Sequence, residues 1–80
     1  MTKFYYICRQ HFSGKENKEY FIINFYSEDD DCIINSFVEQ SVFNNYNNVK
    51  PFTEISNNKV SVVRTKNKYG QIVVSYKINN

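Results

Sequence analysis

The sequence predicts a mainly β domain, and three observations carry that expectation. Eight Ile, eight Val, seven Phe and seven Tyr stand among 80 residues, and these types fit a pleated, half-buried surface. Leu and Ala, the best common helix formers, are absent, and so is Trp. Apolar residues alternate with period two along most of the chain. A chain of 80 residues is one domain, residues 1–80, and most of its apolar side chains must serve one core. This composition excludes a helical bundle, a coiled coil, a membrane span and a disordered tail.

Lys3 to Phe12 reads as the first strand, with Phe4, Tyr6, Cys8 and Phe12 on one face and Tyr5, Ile7, Arg9 and His11 on the other. Ser13 to Lys18 is a loop of turn formers and charges around Gly14. Glu19 to Tyr26 is the second strand. Phe21, Ile23 and Phe25 share its core face, and Tyr20, Ile22, Asn24 and Tyr26 its outer face. Tyrosine suits the wet side because its ring ends in a polar tip. Ser27-Glu28-Asp29-Asp30-Asp31 is an acidic turn, followed by a short third strand, Cys32 to Asn35.

Ser36-Phe37-Val38-Glu39 matches a capping box and predicts a helix near residues 37–46, with Val38, Val42 and Tyr46 at helical spacing and Phe43 beside them. The alternative is that the third strand simply continues to Val42. The asparagines after Phe43, then Pro51, stop the helix. Beyond Ile55 the pattern is β again. Lys59 to Lys66 is a strand with Val60 and Val62 inward. Tyr69 to Ile78 is another, with Ile72, Val74, Tyr76 and Ile78 inward. The expected order is therefore β-β-β-α-β-β.

Five strands with one helix between the third and fourth is the order of an OB-fold, a small barrel or curled sheet plugged by its helix. Residues 32–46, Cys-Ile-Ile-Asn-Ser-Phe-Val-Glu-Gln-Ser-Val-Phe-Asn-Asn-Tyr, run from a strand into the helix, and Lys66-Asn67-Lys68-Tyr69-Gly70-Gln71 forms a basic hairpin turn. In this pattern the chain resembles the small OB-type single-stranded DNA-binding proteins of phages and mobile elements in Gram-positive bacteria. The chain departs from a tightly coiled barrel in having only Gly14 and Gly70, so a more open sheet is a second expectation.

Residue chemistry argues against catalysis. His11 is the only histidine, and on a strand it points away from Cys8, so neither a zinc site nor a Cys-His pair is expected. No phosphate-cradling glycine loop is present, and nothing calls for a metal or a cofactor. Cys8 and Cys32 read as reduced core cysteines of a cytoplasmic protein. Only five apolar residues, Phe4 to Cys8, stand between Lys3 and Arg9, too few for a signal peptide, and no stretch is long enough for a membrane span.

Charge is unevenly placed. The net charge is +2, yet residues 60–80 hold no acid and carry Arg64, Lys66, Lys68 and Lys77. The first expectation is a non-catalytic module for single-stranded DNA or RNA, without sequence specificity. Tyr5, Tyr20 and Tyr26 would stack on bases, and Arg9, Lys15, Lys18, Arg64, Lys66 and Lys68 would meet phosphates. The alternative is a small phage or mobile-element inhibitor of a host protein, such as a CRISPR nuclease. It would act through Glu28, Asp29, Asp30 and Asp31 or through the Tyr-rich face. A third reading pairs an exposed edge strand across a homodimer.

Overall fold

The computed structural model describes residues 3–79; Met1, Thr2 and Asn80 lie outside the described residues. Among the described residues the fold is mainly β, with six strands and one short helix after the third. β1 (Phe4–Ser13), β2 (Glu19–Ser27), β3 (Cys32–Val38) and β4 (Glu54–Ile55) form a curled, half-barrel sheet in the order β3-β2-β1-β4. The helix α1 (Gln40–Asn45) follows β3. β5 (Val60–Lys66) and β6 (Ile72–Ile78) form a separate antiparallel hairpin.

The sheet wraps its core face around Phe4, Tyr6, Ile23, Phe25 and Ile55. Val42 of α1 and the hairpin root, Val60 and Ile78, close over this face. Phe43, Tyr46 and Val49 pack at the margin. The helix thus buries Val42 and partly buries Phe43, as its spacing predicted, but it is shorter than expected. Phe37 and Val38 belong to β3, where Val38 pairs with Phe21. No capping box forms: Glu39 is the N-cap, without a side-chain cap bond. The buried Ser36 hydroxyl instead accepts the Ile78 amide at 3.3 Å. β2 offers pairing partners as far as Phe21, and ladder hydrogen bonds over that length outweigh a local cap signal.

A β-bulge at Ile7 changes which side chains of β1 face the core. The register shifts between Tyr6 and Cys8, so the alternation restarts at Cys8. Tyr6 stays inward beside Phe25, whereas Cys8 is exposed beside Asn24. The expectation of a core-facing Cys8 and Phe12 is corrected for that reason. Cys32 is exposed as well, and both thiols are free.

The barrel is open at the hairpin. Tyr76 bonds to Asp30 and Ile78 to Ser36, so β3 and β6 run side by side in the same sense, but no backbone ladder joins them. Val60, Val62, Tyr76 and Ile78 share a face as expected, with Val74 and Ile72 continuing it. Only the root reaches the core. Val62, Ile72 and Val74 are exposed because the ribbon extends past the sheet. Tight barrel closure needs bends that glycine usually supplies, and none of these strands contains one.

Candidate nucleic-acid interface

Among the described residues no helix or strand packs on the outer face of the sheet. Its rows follow from the register. Tyr5, Tyr26 and Ile33 form one end, Cys8, Asn24 and Asn35 the middle, and Gln10, Ile22 and Phe37 the next row, with Phe12 and Tyr20 beyond. At that far end three rings touch. Phe12 stacks on Tyr20 with centroids 5.4 Å apart, and Phe37 meets Tyr20 edge-on at 6.2 Å. Ile22 is buried beneath this cluster, while Phe12 is 46% and Phe37 62% exposed. Ring clusters that stay wet in the free protein are unusual in ordinary surface, where apolar residues are scattered singly.

The turn between β1 and β2 sits against the same cluster. A Cβ on Gly14 would collide with Cε2 of Tyr20, so the missing side chain is what lets the ring lie over the turn. The one-turn 3-10 segment Lys15–Asn17 follows, closed by Gly14 N donating to Lys18 O at 2.7 Å. Lys15 and Lys18 are exposed in this turn.

The opposite end is acidic. Tyr5 donates to Glu28 at 3.4 Å, and Tyr26 donates to Asp31. That bond to Asp31 is the main reason the Tyr26 phenol is pushed above its usual range. Ser27 donates to Asp30 at 2.8 Å, and Tyr76 donates to the same carboxylate from the hairpin. These bonds, Tyr76 first, hold Asp30 below the usual carboxyl range. Asn24 stands between the two ends, donating to Gln10 at 3.1 Å and to the Cys8 sulfur at 3.4 Å.

The structure therefore divides the residues that the sequence grouped together. Tyr20, Lys15 and Lys18 share one end of the face. Tyr5 and Tyr26 share the other, 6.5 Å apart, with the acidic turn Glu28 to Asp31. Arg9 is on the opposite side of the sheet, because the Ile7 bulge reverses its facing. Its guanidinium lies 4.1 Å over the Phe43 ring and donates to Phe43 O and Asn47 Oδ1, each at 3.0 Å. It ties β1 to the C-terminal turn of α1, where a cation is favoured. His11 moves with it and stacks on Phe21 at 4.6 Å. Arg64 and Lys66 lie on the hairpin, opposite Val74 and Ile72, with Lys68 at its tip, 5.1 Å over the Tyr69 ring.

Phe12 and Phe37 are the outer-face rings that sequence reasoning misplaced. A signal for Phe12 does exist. Counting back across the short Ser13–Lys18 turn sets Phe12 opposite Tyr20, hence on the Tyr20 face. Phe37 falls on this face only in the alternative where the third strand continues, which the capping pattern outweighed.

Comparison of the chain with protein-family models, with curated proteins and with solved structures finds no match.

Proposed function

We propose that this protein is a non-catalytic binding module that takes single-stranded nucleic acid, without sequence specificity, on the outer face of its sheet. The observation that carries this reading is the exposed Phe12–Tyr20–Phe37 cluster, with the exposed Lys15 and Lys18 in the turn that joins the strands of Phe12 and Tyr20. Every base has a π-face, so stacking on such rings contributes roughly 1–3 kcal/mol per base whatever the sequence. Lysines beside the rings supply phosphate contacts at a matching position. The site is centred on Tyr20 rather than on Tyr5 and Tyr26, because the carboxylates around those two repel phosphate. The hairpin cations Arg64, Lys66 and Lys68 add longer-range attraction.

The test is a titration of labelled oligo-dT, with duplex DNA beside it, at two salt concentrations. Binding to the single strand should weaken with salt, with a slope near ~0.7 per phosphate neutralised. Lys15→Ala with Lys18→Ala should flatten that slope, since each lysine removed is one counterion fewer released. No single-strand binding at micromolar protein and low salt would reject this reading.

A second reading is favoured by one observation. Tyr5, Tyr26, Ser27 and Tyr76 hold the carboxylates of the acidic turn in a fixed arrangement. A preformed acidic cluster suits a groove built for phosphate on a host protein. The same titration separates the two readings, since an inhibitor of this kind needs no oligo-dT affinity of its own.

A further inference from the structure

The segment joining α1 to β4 contains a turn whose sequence and conformation disagree. Lys50-Pro51-Phe52-Thr53 is closed by Thr53 N donating to Lys50 O at 3.2 Å, and Phe52 has φ +68. Proline followed by a residue of positive φ is the type II pattern, and that third position favours glycine or asparagine. A bulky side chain there is a genuine outlier. Other non-glycine residues with positive φ include Asn17, Asp31 and Asn48, types that tolerate it. Glu16 is a further departure, inside the tight turn between β1 and β2. The chain carries twelve asparagines, yet the Lys50–Thr53 turn carries phenylalanine.

The surrounding backbone holds the conformation in place. Phe52 N donates to Tyr6 O at 2.6 Å and Tyr6 N to Thr53 O at 2.8 Å, pinning the turn to β1 beside its bulge. The ring contributes little to folding in return. It is 73% exposed and lies outside the core cluster. Strain kept at an exposed aromatic, against an evident alternative, points to a role in binding.

We propose that Phe52 is an anchor for the single strand bound on the sheet, stacking on one base while Lys50 meets the neighbouring phosphate. This inference rests on the nucleic-acid reading above. Tyr6 and Phe12 are about 20 Å apart along β1 at ordinary strand rise. One strand of roughly 15 nucleotides is therefore long enough to reach the ring cluster and the turn together. β4 pairs β1 only as far as Tyr5 and the turn itself takes up Tyr6, so beyond Tyr6 no strand among the described residues stands on that edge of β1.

The experiment compares wild type with Phe52→Asn, Phe52→Gly and Phe52→Trp, by thermal unfolding and by titration of an oligo-dT of about 15 nucleotides. Asparagine and glycine relieve the backbone, so Tm should rise while affinity falls roughly tenfold, the loss of one stacked base. Tryptophan keeps a stacking ring and should keep the affinity. A purely structural phenylalanine would move both readouts downward together. Wild-type affinity in Phe52→Asn, or a lowered Tm in both relieved variants, would overturn the proposal and leave the sheet-face reading standing. A wild-type protein that binds no oligo-dT would overturn both.

Discussion

The two faces of the four-stranded sheet are built from the same residue types and meet opposite fates. The inner face sets Phe4, Tyr6, Ile23 and Phe25 under the helix and the hairpin root, where all are buried. The outer face sets Phe12, Tyr20, Phe37 and Ile33 against solvent. Hydrophobicity alone does not separate them. What separates them is which face the chain returns to cover after β3. A polypeptide of this size has enough later chain to cover one face, and α1 with the ends of β5 and β6 covers the inner one. The uncovered rings are thus the surplus of a β-forming sequence, and the proposed function gives that surplus its use.

The largest expected effect breaks the comparison from the inside. Phe25→Ala removes a fully buried ring and should cost about 3–5 kcal/mol in equilibrium denaturation. A domain of this size has a total stability of roughly 4–12 kcal/mol, so the variant should lose about a quarter of it or more. Ser36→Ala comes next. It leaves the buried Ile78 amide without its acceptor and should cost about 1–3 kcal/mol, through the hairpin junction rather than through a helix cap. Loss of helical signal without loss of hairpin docking would contradict that assignment.

A smaller, pH-dependent effect is expected at the acidic end. Asp30 is held below the ordinary carboxyl value of 3.8, so its bonds with Tyr76 and Ser27 stabilise the folded state above that pH. The contribution is lost as pH falls through the lowered folded value. Asp30→Asn should therefore be less stable than wild type at neutral pH, and the two should converge in acid. A gap that persists unchanged below that range would show that ionisation is not the cause. The smallest effect on stability belongs to the outer face. Phe37→Ala should change folding by no more than about 0.5 kcal/mol. Cys8 and Cys32, both exposed, should label rapidly with a thiol reagent in native buffer; protection until unfolding would place them in the core after all.

Much of this architecture is legible in the sequence. The alternation of Glu19 to Tyr26 assigns both faces of β2 correctly, and the root pair Val60 and Ile78 is found inward as read. Two physical effects limit the rest. The Ile7 bulge inserts one residue, which reverses the facing of Cys8, Arg9, His11 and Phe12 without any glycine to mark it. Ser36 and Glu39 carry a true local helix signal, and tertiary pairing with β2 overrides it. The proposed site inherits both limits. Tyr20 is legible because β2 is regular, and Lys15 and Lys18 because a charged, glycine-bearing stretch before it reads as a turn, whereas Phe12 and Phe37 are assigned only when strand pairing is taken into account.

The central claim is that the uncovered aromatic end of the sheet is the working surface. Backbone amide spectra of the isotope-labelled protein, recorded as oligo-dT is added, test it most directly. Shifts should concentrate at Phe12, Tyr20, Phe37, Lys15 and Lys18, with a second group at Lys50 and Phe52, weaker changes along the hairpin and little at Tyr26 and the acidic turn. Shifts centred on Glu28 to Asp31, or spread evenly over the molecule, would contradict it.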